Sequence, residues 1–138
     1  MIIRINTKDL PRVQQQVQAL VTNVAIRTKT STKRIAQLIL DDSLNVPPRA
    51  PQDTGALRET ARVEATPNGH AVMYGGQASN GVYVDYAEYV HDDMRPRKYT
   101  LSGSGPKFVE THVLRREADS IGIANSDLQS LIKEIFGR

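Results

Sequence analysis

The longest pattern of apolar positions in the chain begins at Leu10. Val13, Val17, Leu20, Val21, Val24, Ile35, Leu38 and Ile39 follow on one helical face, with Thr28 and Ser31 filling the middle of the stripe. Thr7 or Asp9 is placed to cap such a helix, and Pro11 falls in its first turn, where the amide it lacks has no intrahelical partner anyway. The pattern predicts one helix over residues 9–44, about 50 Å long. That is longer than a lone domain of this size needs, so the helix is expected to pack on something beyond its own domain. The run Arg27 to Arg34 contains Thr28, Thr30, Ser31 and Thr32, mediocre helix formers that favour a kink. Ahead of the helix, residues 1–6 read as a short edge strand because Ile2 to Asn6 is β-branched and partly alternating.

Beyond the helix the periods shorten. Asn45 to Gln52 contains Pro47, Pro48 and Pro51 and predicts an extended strap, since proline disfavours helix in the residue before it and donates no ladder hydrogen bond. The strap runs into Pro51-Gln52-Asp53-Thr54-Gly55-Ala56-Leu57-Arg58, a structural joint. Asp53 and Thr54 offer capping oxygens, Gly55 permits a backbone angle closed to other residues, and Leu57 supplies an apolar anchor. Residues 45–56 form this proline-rich joint, and residues 57–91 hold a β-hairpin and a short helix.

Thr60 to Thr66 alternates like a half-exposed strand, Pro67-Asn68-Gly69-His70 turns, and Ala71 to Tyr74 returns. Val82 to Val84 suits a strand end, and Tyr86, Tyr89 and Val90 share a helical face that Asp85 is placed to cap. Residues 92–106, rich in Gly, Ser, Pro and Arg, read as a mobile loop that orders on assembly. C-terminal helices occupy residues 107–137, one over Lys107 to Asp119, interrupted at Ile121-Gly122-Ile123, and a last one opened by Ser126 and Gln129 as a capping box. The fold class is α+β: a single domain with a long N-terminal helix packed on a small antiparallel β-sheet, with additional C-terminal helices.

Composition narrows the function classes. A chain of 138 residues, 39% hydrophobic, supports one core, and 5% aromatic content without tryptophan makes that core aliphatic and thin. With no cysteine, neither a disulfide framework nor a thiolate metal site exists. The N-terminus lacks the apolar core of a signal peptide and no apolar run approaches bilayer length, so a soluble protein without a membrane partner is expected. The net charge of +3 is unevenly spread: residues 1–50 carry eight basic and three acidic residues, a balance of +5, which leaves −2 for the remainder. Such asymmetry suits head-to-tail contacts between copies, and an ordinary solvated helix surface accounts for it as well.

Arg12, Arg27, Lys29, Lys33 and Arg34 lie together beside the apolar stripe, while Ile26, Leu40 and Leu44 form a smaller apolar patch opposite it. That patch is a candidate subunit contact, with contact to the domain's own loops as the other reading. The basic stripe also suits DNA phosphates, which it would meet without reading sequence. His70, His91 and His112 raise metal chemistry, above all Glu88 with His91 a helical turn later, yet no second spaced ligand pair supports it. The other reading is that His91 hydrogen-bonds the loop after it. Ser102 to Lys107 lacks the glycine-lysine-hydroxyl ending of a phosphate loop, and no strand-turn-helix elbow presents a nucleophilic serine. No catalytic residue, metal site or cofactor is expected.

Three spaced elements remain: Pro51-Gln52-Asp53-Thr54-Gly55-Ala56-Leu57-Arg58, Tyr86-Ala87-Glu88-Tyr89-Val90-His91, and Pro106-Lys107-Phe108-Val109-Glu110. Their order and spacing resemble the small tail-component family of tailed bacteriophages, also described as tail-completion, neck or minor capsid proteins. The resemblance covers roughly residues 10–118. It implies a non-enzymatic virion protein at the head-to-tail junction, made in the host cytoplasm and built from a long helix on a small antiparallel sheet. By analogy it implies a homo-oligomeric ring around the DNA passage, six copies favoured and twelve possible, contacting neighbouring neck, connector or tail proteins. Tyr86, Tyr89, His91, Lys107, Phe108 and Glu110 join Ile26, Arg27, Lys29, Lys33, Arg34 and Leu40 as assembly candidates. Arg58 is expected to meet a carboxylate within or between subunits. A basic DNA-binding module, or a metal-dependent hydrolase using Glu88 and His91, are the alternatives.

Overall fold

Thirty-six consecutive residues, Leu10–Asn45, form one unbroken helix, α1, after a 3-10 turn at Thr7–Asp9. The computed structural model describes residues 7–137, so the strand expected over residues 1–6 lies outside the described residues. The Thr- and Ser-rich run stays helical because its threonine hydroxyls bond back along the helix, Thr30 Oγ1 to the Ile26 carbonyl at 3.2 Å and Thr32 Oγ1 to the Lys29 carbonyl at 2.9 Å. Pro11 occupies the first turn as its missing amide allows, while Asp9 at the cap position makes no side-chain cap bond.

Past α1 the strap turns back at once: Val46 N donates to Asp42 O at 2.8 Å and Ala50 N to Ser43 O at 2.7 Å. A one-turn helix α2 (Ala56–Glu59) follows the joint. Strands β1 (Arg62–Thr66) and β2 (Gly69–Met73) pair antiparallel, Arg62 opposite Met73 and Thr66 opposite Gly69, leaving Pro67-Asn68 as the turn. β1 starts two residues later than its alternation predicts because Thr60 is spent on the joint. It is buried, donates to Leu57 O at 2.7 Å and accepts from Gly75 N at 2.9 Å. A second two-stranded antiparallel sheet joins β3 (Gly76–Gln77) to β4 (Tyr83–Val84). Three helices complete the α+β fold: α3 (Ala87–Asp92), α4 (Glu110–Arg115) and α5 (Glu117–Phe136).

The β1–β2 hairpin lies along the C-terminal half of α1. Its turn end meets Thr32, where a Cβ on Gly69 would come within 3.0 Å of the hydroxyl, and beyond its other end Tyr74 Oη bonds Ser43 Oγ at 2.6 Å. α5 runs antiparallel to α1, tied by Asp42 to Arg116, by Ser31 and Arg34 to Asp127, and by Arg27 to Glu134. These placements correct several expectations. Ile39 is buried, but Val13, Val17 and Val21 are exposed because the hairpin reaches no further than Thr32. Leu40, expected on an outer patch, is buried. α5 passes through Ile121-Gly122-Ile123 without a break, and Ser126 lies inside it; the interruption falls instead at Arg116. Asp85 does not cap α3, whose cap position is Tyr86.

The main core is small and rich in alanine: Ala50, Ala56, Leu57, Ala78, Val84 and Phe108, with Leu44, Tyr74 and Val90 packed against it. The latter half of the loop expected to be mobile is pinned to the strap, since Arg49 N donates to Gly103 O at 2.8 Å and Gly105 N to Arg49 O at 3.2 Å.

Candidate assembly interface

Phe108, 1% exposed, is where the three motif segments meet. Tyr74 and His91 each stand edge to face against it, with ring centroids at 5.2 and 5.0 Å, the geometry that sets a positive ring edge on a negative face. Leu57 and Ala56 reach the same core from the joint, and Val90 from α3. Residues 51–58, 86–91 and 106–110, far apart in the chain, thus form one structural unit. Between the joint and the following loop lies a cleft of about 370 Å³ lined by Thr54, Leu57, Tyr86, Val90, Arg97 and Tyr99.

Within the joint, Gly55 takes φ of 89°, in the left-handed region that favours glycine, and stands at the N-terminus of α2. Thr54 Oγ1 accepts from Ala56 N at 3.4 Å, while Asp53 is exposed and caps nothing. Pro51 and Thr54 line the cleft. Arg58 does not meet a carboxylate. Its Nη2 donates to Leu44 O and its Nη1 to Ala50 O, both at 2.7 Å, because the last carbonyls of α1 have no intrahelical donors.

The second and third motifs close through polar contacts. His91 Nε2 accepts from Glu110 N at 3.4 Å, which puts the ring proton on Nδ1, where it donates to Asp92 Oδ1 at 2.7 Å. Lys107, at φ 57°, places Nζ 2.8 Å from Asp92 and 3.0 Å from Glu110. The Lys107 hydrogen bond, then that of His91, lowers the Asp92 pKa, and Asp92 followed by Glu110 raises that of Lys107. Asp93 is held far below the ordinary carboxylate range, chiefly by hydrogen bonds from Arg95, with the Arg97 charge adding to them. Arg95 also bonds the Tyr89 hydroxyl.

The three histidines serve separate places. His70 bonds Thr32 Oγ1 at 3.1 Å, His91 bonds the segment after it, and buried His112 donates from Nε2 to Pro48 O at 3.0 Å, where Arg115 also holds Pro47 O. Glu88 is not a partner of His91, and no three His, Asp or Glu side chains converge to hold a metal ion among the described residues. The basic stripe is divided. Arg27 pairs with Glu134 and Arg34 with Asp127, whereas Lys29 and Lys33 stay exposed with no acidic partner among the described residues. Ile26 is 60% exposed beside them.

No described helix is long and apolar enough to cross a membrane. Comparison of the chain with protein-family models, curated proteins and solved structures gave no match.

Proposed function

We propose that this chain is a structural virion subunit of a tailed bacteriophage, a tail-completion or neck protein forming a ring around the DNA passage at the head-to-tail junction. One observation carries the reading: the three segments on which the family resemblance rests converge on Phe108, as parts of one functional unit do. The surface supports it. An alanine-rich core leaves Val13, Val17, Val21, Ile26, Tyr89 and Met94 outside, apolar area that assembly would bury. The division of the basic stripe counts against a DNA-binding module, since two of its arginines are occupied within the chain. The partners of His91 count against a hydrolase built on Glu88. Six copies are favoured and twelve possible, by analogy with tail-end and portal-side rings.

The test is particle assembly in the phage that encodes the chain. Without it, filled heads and finished tails accumulate apart, and adding the purified protein to such extracts restores joined, infectious particles. Joined particles that form in its absence would overturn the reading.

A further inference from the structure

Ile26, Lys29 and Lys33 stand three and four residues apart, so they share one face of α1. It is not the face turned to α5, which Arg27, Ser31 and Arg34 occupy through Glu134 and Asp127. A second open surface lies at α3, a groove of about 700 Å³ whose lining includes Asp85, Glu88, Tyr89, Asp93, Met94 and Arg95. Tyr89 and Met94 are 57% and 67% exposed. The groove's acids differ in one respect. Asp92 is taken by Lys107 and His91, and Asp93 by Arg95 and Arg97, the former also lining the groove, but Asp85 and Glu88 form no ion pair among the described residues. Each copy thus carries two unpaired lysines beside an exposed isoleucine, and two unpaired carboxylates beside an exposed tyrosine and methionine.

We propose that the Ile26–Lys29–Lys33 face of one copy docks into the α3 groove of the next. Ile26 packs on Tyr89 and Met94 while the lysines meet Asp85 and Glu88. The occupant is a second copy of this chain because the two surfaces match in charge and in apolar centre, and because the positive balance of residues 1–50 and the negative balance of the rest recur on every copy. Two different patches meeting make a heterologous contact, which closes into a ring when the rotation allows. The inference takes the ring from the neck reading, but the contact is testable without it.

The experiment measures self-association of the full chain by sedimentation velocity. Lys29→Glu with Lys33→Glu, and separately Asp85→Lys with Glu88→Lys, should each weaken association by about tenfold or more, since like charges then face each other. All four positions are exposed, and circular dichroism should show unchanged folding. An equimolar mixture of the two reversed variants should restore association, because each then offers the face the other's groove accepts. Association should weaken as salt rises. Reversals without effect, a mixture that does not recover, or a wild-type chain monomeric at millimolar concentration would each overturn the contact. Particle joining is scored apart: joining that needs the chain but ignores the reversals leaves the neck reading standing and removes this contact.

Discussion

Arg58 caps the carbonyl of Leu44, its Nη2 donating at 2.7 Å to the end of α1 while Nη1 reaches Ala50 at the same distance. One planar guanidinium thereby fixes the long helix, the strap and the joint to one another. Arg58→Ala should cost about 1.5–3 kcal/mol, because two carbonyls lose a charged donor together. Arg58→Lys should recover only part of this, since a single ammonium lacks the fork that spans both oxygens. Urea unfolding of the three proteins checks the order.

Gly55→Val isolates backbone strain. A Cβ at this position meets nothing within 4 Å, so the penalty comes from φ of 89° alone. A loss of about 1–2 kcal/mol is expected, with helix content at 20 °C almost unchanged because α1 does not depend on that angle. Far-ultraviolet dichroism and urea unfolding separate the two effects, and ring formation should suffer more than helix content does.

Asp42 and Arg116 form a bidentate pair along one guanidinium edge, Nε to Oδ2 at 2.6 Å and Nη2 to Oδ1 at 3.0 Å. The Arg116 hydrogen bond lowers the Asp42 pKa in the folded chain, so the unfolded chain binds the proton more readily. The stabilisation is therefore fully present above about pH 5 and is lost as pH falls below the ordinary aspartate value of 3.8 and through the lower folded one. Asp92 and Asp93, lowered by Lys107 and by Arg95, act in the same direction. Thermal midpoints measured from pH 7 to pH 2 should fall steeply for the wild type. Asp42→Asn should start lower and fall less.

What the sequence made legible follows from the range of each interaction. The long helix and the hairpin are local patterns, and the structure has α1 at Leu10–Asn45 and an antiparallel hairpin, its turn shortened to Pro67-Asn68 because Gly69 and His70 already belong to β2. The partners of Arg58 were illegible because backbone carbonyls leave no mark on residue identity. Arg27 with Glu134 and Arg34 with Asp127 bridge separations of 107 and 93 residues, so no local period links them. Gly122 looked like a helix break on propensity, a cost of about 1 kcal/mol that packing of α5 along α1 offsets. The true break at Arg116 carries no glycine or proline to announce it. His112 gave no signal beyond its type, although it is buried and holds the strap.

Asp127 is the acid on which the two long helices depend at mid-length. It accepts from Ser31 Oγ at 2.6 Å and from Arg34 Nη1 at 3.1 Å, and Ser31 is itself buried in α1. Asp127→Ala leaves that hydroxyl without its carboxylate and frees the arginine, at a cost of about 1–3 kcal/mol. The loss should be local, because the core around Phe108 lies elsewhere and keeps its contacts. Amides of α5 beyond Asn125 should exchange faster with deuterium, while those of β1, β2 and the C-terminal half of α1 keep their wild-type rates. Equal acceleration in both regions would mean that α5 and the Phe108 core unfold as one cooperative unit, and that the α1–α5 pair is no separate module.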